Sequence, residues 1–146
     1  MLIRLDNDQL TDHFRLSEFV NTKDGNRMHI NRDFFPFVEM LETFRRWYGR
    51  PMIITSGYRT ARFNATLPGA DANSLHLIGL AADFKLPMEY YIMTKARKNE
   101  FMNNIKNRWF MQCDQEGIPG SVVLYDTIFH LDYRTNKRYF DDRRTK

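Results

Sequence analysis

The chain has a single cysteine, Cys113, among its 146 residues. It can form no internal disulfide, and a multi-cysteine zinc finger is excluded. Seven glycines and five prolines are too few and too scattered to make a linker or a low-complexity segment. No apolar run approaches the roughly 20 residues of a membrane-spanning helix. The opening Met1-Leu2-Ile3-Arg4-Leu5-Asp6 lacks the basic-then-apolar pattern of a secretory signal, so the expectation is a chain made in the cytoplasm. A body-wide excess of one charge is missing too. The net charge is +4, and 134–146 alone holds six basic residues against two acids, which accounts for all of it. A diffusely basic nucleic-acid surface is thereby excluded, and neither an aromatic–basic stripe nor a recognition-helix pattern is present. Residues 135–146 read as a solvated basic tail, suited to weak, salt-sensitive contact with an anionic envelope polymer.

What is present is core material. The chain is 42% hydrophobic and 14% aromatic, enough for one folded domain over 1–146, expected as a monomer. Phe34, Phe37, Val38, Leu41, Phe44 and Tyr48 recur at helical spacing, opened near Asn31 or Asp33 and closed by Gly49. Before that helix, Leu10–Val20 reads as a short capped helix with Ser17 as N-cap, and Asp24-Gly25 as a turn. Pro51–Thr55 predicts a buried strand, and Leu80–Leu86 a second. Between them, 56–74 is a long loop with a helical turn near Ala61–Ala65, and loops of that length are more often functional than average. A helical region runs from Pro87 to about Gln115, with a break near Asn99. Val122–Tyr125, Ile128–Tyr133 and Arg138–Phe140 are late strands. Helices early and strands late predict an α+β fold, an antiparallel sheet with helices packed on one side.

The chemistry-bearing residues are histidines and aspartates. His13 precedes a short helix and His29 sits in a polar stretch with no acidic partner at metal-site spacing, so both read as structural or exposed. His76 and Asp83 are separated by Gly79, Ala81 and Ala82, small residues that let a turn bring the two together. Asp83 lies in an apolar strand, where a carboxylate is costly unless paired, hydrogen-bonded or metal-bound. In 128–134, alternation puts Ile128, His130, Asp132 and Arg134 on one strand face, opposite Phe129, Leu131 and Tyr133. Two histidines and a carboxylate are the usual protein ligands of a catalytic zinc with an open fourth position, and hydrolysis is the chemistry such a site favours.

Ser56-Gly57-Tyr58-Arg59, Asn64, Ser74-x-His76-x-x-Gly79-x-Ala81-x-Asp83 and Tyr125-Asp126-Thr127-Ile128-Phe129-His130-Leu131-Asp132 occur in that order. With the opening Leu10-Thr11-x-His13-Phe14-x-Leu16-Ser17-Glu18-Phe19, they resemble the zinc D-alanyl-D-alanine carboxypeptidase family over about 10–134. The nearest branch is the compact peptidase domain of murein endopeptidases and phage endolysins, whose fold is shared with the hedgehog signalling domain. The resemblance implies one zinc held by His76, Asp83 and His130. It implies substrate polarisation by Arg59, a substrate-orienting role for Ser74, and peptidoglycan stem peptides with D-amino acids as substrate. Carboxypeptidase and endopeptidase activities both fit. The family commonly carries an acid three residues before the last histidine ligand, and here that position is Thr127. The general base therefore falls to Asp126 or Asp132, with Asp126 first because it precedes the ligand strand. Without a signal, the expected context is a phage-type lysin acting on the wall after release or from a virion. The alternative is a non-catalytic, zinc-bearing module of a virion or wall-associated protein.

Overall fold

The computed structural model describes residues 8–20, 28–29, 31–134 and 136–144; the Asp24-Gly25 turn lies outside them. Among the described residues, four α-helices, two 3-10 turns and five strands follow one another: α1 (Leu16–Phe19), α2 (Phe34–Tyr48), β1 (Ile54–Ser56), α3 (Ala61–Asn64), a 3-10 turn (Leu75–Ile78), β2 (Ala81–Lys85), a second turn (Met88–Ile92), α4 (Lys95–Glu116), β3 (Ser121–Leu124), β4 (Ile128–Asp132) and β5 (Arg138–Asp141). The fold class is α+β, as the order of elements predicts.

Helix α2 starts after Asp33 and stops at Gly49, whose φ of 70° is the left-handed conformation that closes helices. Its apolar face is Phe34, Phe37, Val38, Leu41, Phe44 and Tyr48, all buried. This face meets α4 through Trp109, which packs edge-on against Phe37 and Phe44. It meets the sheet through Phe129, 6.1 Å from Phe44 between ring centroids. Together with Phe84, Val122, Leu124 and Leu131, these side chains form the core. The helices α2 and α4 thus cover one sheet face, and the opposite face is left for polar residues.

The strand order is β1-β2-β4-β3-β5. All pairs are antiparallel except β3–β5, which is parallel. The sheet is therefore mixed where the sequence predicts a purely antiparallel one. The reason is local. β4 ends with Asp132 opposite Ser121, the first residue of β3. β5 then begins opposite Ser121 and runs alongside β3.

Several boundaries also differ from expectation. β1 is a short edge strand, with Ile53 just before it 57% exposed, because only β2 pairs with it. The break before α4 falls at Met93-Thr94 and not near Asn99, since the Thr94 hydroxyl caps the helix by accepting from Arg97 N. Ser17 lies inside α1; the chain enters that helix at Arg15, whose N–H donates to Glu18. The basic terminus is no loose tail over 138–143. It forms β5, and Arg143 is buried with its guanidinium on Asp141 and Asn99.

His13 has a structural role. Its backbone N–H and Nδ1 both donate to the buried Glu42 carboxylate of α2, at 2.7 and 2.6 Å. Burial pushes Glu42 up, but hydrogen bonds from His13 and Thr11 outweigh it and hold the carboxyl at about 2. This clamp fixes the 8–20 segment on the helix layer.

Candidate metal centre and substrate cleft

The polar sheet face is built by alternation. On β4, Phe129 and Leu131 enter the core, and Ile128, His130 and Asp132 face the other way. Asp83 does the same on β2, between Ala82 and Phe84, and is the cross-strand partner of His130. The two side chains meet with His130 Nδ1 2.7 Å from Asp83 Oδ1.

His76 arrives from outside the sheet. The Ser74 hydroxyl accepts from His76 N and starts the 3-10 turn. Gly79 and the small residues beyond it bring the chain straight into β2. The ring is buried, and His76 Nδ1 lies 2.6 Å from the Gly57 carbonyl. A carbonyl only accepts, so Nδ1 carries the proton and Nε2 presents a lone pair. That nitrogen points at Asp83 Oδ2, 3.4 Å away.

Gly57 has a second neighbour. A Cβ there would lie 2.7 Å from the Phe19 carbonyl oxygen and 2.8 Å from Phe19 Cα, so only glycine fits. Tyr58 N donates to that carbonyl at 2.7 Å, and Arg59 N donates to His76 O at 2.9 Å. The Ser-Gly-Tyr-Arg block is a splint between the 8–20 segment and His76.

One ligating atom from each of His76, Asp83 and His130 lies within 4.8 Å of the others. A buried imidazole, a part-buried imidazole and a part-buried carboxylate at that spacing, with one histidine tautomer already set by Gly57, fit a zinc ion. The charges are coupled. Burial opposes ionisation of Asp83, but the neighbouring His130 and His76 take its carboxyl far below the usual carboxylate range. Burial also opposes charge on His130, yet Asp132 and Asp83 push it up to about 9.

Asp132 is completely buried. It accepts from Ser121 N, from Arg134 Nε and Nη2, and from His130 Nε2. Burial raises its pKa, but His130 and then Arg134 bring it below normal. This carboxylate has no free face toward a substrate; it braces His130. Asp126 is a clearer departure from expectation. It is absent from the cleft lining, and both its oxygens accept from Arg144 N. The two residues after β3 turn it toward the C-terminal segment, so no bulge brings it back to His130.

Around the cluster is a cavity of about 440 Å3. Arg59 and Ser74 line it and bond each other at 3.2 Å. Arg59 Nε is buried with no hydrogen-bond partner among the described residues. Burial lowers the Arg59 pKa, partly offset by Asp83 and Tyr125. Sequence reasoning missed Asp71, Tyr125, Arg138 and Phe140, which also line the cavity. The length of the 56–74 loop is the signal that pointed toward Asp71. The alternation of β3 and β5 places the others, once their neighbours are known.

No helix among the described residues is long and apolar enough to cross a membrane. A family model described as Peptidase M15 matches residues 12–109. No curated protein matches the chain.

Proposed function

Because the chain belongs to the peptidase M15 family, we propose that it is a zinc-dependent peptidase acting on the stem peptides of peptidoglycan, at amide bonds that involve D-amino acids. The observation that carries this reading is the convergence of His76, Asp83 and His130 beneath an Arg59 whose Nε is unpaired. When bound there, zinc supplies a Lewis acid that makes water acidic near neutral pH.

The chain's own groups would do the rest. Gly57 holds the His76 tautomer, and Asp132 orients His130. Arg59 would donate to the oxygen on which negative charge grows as the amide carbonyl is attacked. Ser74 keeps that guanidinium in place. Of the three carboxylates lining the cavity, Asp83 is a ligand and Asp132 is fully engaged. That leaves Asp71, exposed on the loop with Oδ1 accepting from Asn73 N, to take the proton at Oδ2. The place of action is the cell wall, where this substrate is found; release at lysis or carriage in a virion suits a lysin of this kind.

One observation favours the second reading, a zinc-bearing module that does not cleave. Thr127 stands where relatives place an acid, and Asp126 faces away. One experiment separates the two. Zinc-loaded protein is incubated with muropeptides of several stem types and the products are weighed by mass spectrometry, with zinc content measured in parallel. Cleavage that disappears together with zinc in His76→Ala supports the peptidase. Stoichiometric zinc without cleavage supports the module. Zinc retained by a His76→Ala, His130→Ala double variant overturns the ligand assignment.

A further inference from the structure

The connection from β2 to α4 carries the most exposed apolar side chains among the described residues. It enters the 3-10 turn Met88–Ile92 at Pro87, whose carbonyl accepts from Tyr90 N. With about three residues per turn, one side chain in three can point to the core. Here that one is Tyr90. It is buried, its ring centroid 5.6 Å from that of Phe101 on α4. The residues on either side are thereby turned outward. Ile92 is 88% exposed and Met88 76%, and Tyr91 is exposed as well. Ile53, also exposed, lies beside the approach to the turn, where its carbonyl accepts from Lys85 N at 2.9 Å.

The exposure is built into the fold. Met93 N donates to Tyr90 O, Thr94 caps α4, and Glu89 pairs with Arg50 at 3.4 Å. The backbone on both sides of the apolar tips is therefore tied down, and no rotation of the turn hides them without withdrawing Tyr90 from the core.

Cations ring this corner. Lys85 precedes the turn, and Lys95, Arg97 and Lys98 occupy the first turn of α4, which has no acid. Lys85, Lys95 and Arg97 are exposed, and the Lys98 ammonium lies 5.3 Å from the Tyr90 ring centroid. The acids nearby are Glu89, already paired with Arg50, and Glu100 further along the helix. Three cations at a helix N-terminus oppose the helix dipole, so helix stability does not account for them.

The composition chooses the occupant. A stable protein interface takes about 20–30 residues a side and is depleted of lysine. Four apolar side chains set among lysines are too few and too charged for a second copy of this chain or another folded protein. An anionic bilayer accepts that mixture. Aliphatic tips enter the boundary of the acyl chains, a tyrosine rests at the headgroup level, and lysine stems extend to phosphates.

We propose that the 85–98 corner seats the protein on an anionic phospholipid surface. Met88 and Ile92 enter the lipid, and Lys85, Lys95, Arg97 and Lys98 meet the headgroup phosphates. The proposal is independent of the hydrolytic reading, since none of these residues lines the cavity around the metal-binding cluster.

The test uses the metal-free full chain and two kinds of vesicle, one of phosphatidylcholine alone and one of phosphatidylcholine and phosphatidylglycerol in equal parts. Flotation on a density gradient measures the bound fraction. Partitioning onto the mixed vesicles should exceed that onto neutral ones by about tenfold or more and fall as salt is added. Met88→Ser combined with Ile92→Ser should lower it about tenfold or more, because apolar burial holds the corner in the lipid. Lys95→Gln, Arg97→Gln and Lys98→Gln together should lower it about fivefold for each cation removed. Circular dichroism and zinc affinity, both expected to match the parent chain, check that the variants fold. No flotation with mixed vesicles overturns the proposal, and so does equal flotation with neutral ones. Flotation that survives the Met88, Ile92 variant assigns the binding to another surface and overturns it too. A dimer in sedimentation velocity that the same variant abolishes makes the corner an interface between copies, which also overturns it.

Discussion

His130 Nε2 lies 2.8 Å from Asp132 Oδ2, and Asp132 has no exposed surface. A carboxylate in that position orients an imidazole and makes it a better ligand. Its second oxygen is held by Ser121 N and Arg134. Asp132→Asn should therefore weaken zinc binding by about 10- to 100-fold. Turnover of the zinc-saturated variant should change far less. Competition with a chromophoric chelator measures the first effect, and kcat at saturating zinc the second. A large loss of kcat at full occupancy would move Asp132 into proton transfer.

The other carboxylates sort by the same assay. Asp126→Asn should keep kcat within about threefold, because the side chain is bonded to Arg144 N outside the cleft. Asp71→Asn should lower kcat by about 100-fold with zinc retained. If Asp71→Asn is as active as the parent chain, the proton acceptor lies elsewhere.

Removing the metal should be visible in stability. An ion that binds only the folded chain adds about 2.7 kcal/mol at 100 times its Kd. A chelator should therefore lower Tm by several degrees, and His76→Ala should show no response to zinc or chelator. An equal zinc-induced shift in His76→Ala, read by scanning calorimetry, would place the metal on other residues.

Gly57→Ala probes the splint. The added methyl has the Phe19 backbone within 2.8 Å, and overpacking of this kind costs about 1–3 kcal/mol. The Gly57 carbonyl also fixes His76, so zinc affinity should fall along with stability. Denaturant unfolding and zinc titration of one sample check both effects. Loss of stability with unchanged affinity would show that His76 is held without Gly57.

The Glu42–His13 clamp gives the chain a pH signature. The Glu42 pKa is about 2 in the fold, against 4.5 for an ordinary glutamate. The unfolded chain therefore binds the proton more tightly, and stability falls as pH drops from about 4.5 to about 2. The contribution is on the order of 3 kcal/mol above that window. Glu42→Gln should be less stable than the parent at pH 6, and the gap should close toward pH 2. Urea unfolding at a series of pH values checks the sign.

Periodicity made much of this legible. The apolar spacing of α2 and the alternation of 128–132 located the core helix and the ligand strand, because each pattern reports a face that must be buried. The meeting of His76, Asp83 and His130 was readable from the motif and from the small residues that join the first two. Three features were not readable. The parallel β5 depends on where β4 ends relative to β3, a relation between strands far from either pattern. The outward turn of Asp126 is set by Arg144, 18 residues away. A second cavity, beside β1, is enclosed by the 8–20 segment and the 54–67 stretch, whose contact through Phe19 and Gly57 no local spacing announces.

Strand β4 alternates core and cleft residues over five positions. One inserted or deleted residue within it would exchange the two faces, sending phenylalanine toward water and histidine into the apolar layer. The strand can thus vary by substitution but not in length, and substitution at neighbouring positions is judged by different criteria: volume at 129 and 131, donor chemistry at 130 and 132. Among natural variants of this chain, length changes should gather in connections such as 65–73 and 133–137, which carry the cleft-lining residues Asp71 and Arg134. Diversification of what the cleft accepts is therefore available without disturbing the cluster beneath it.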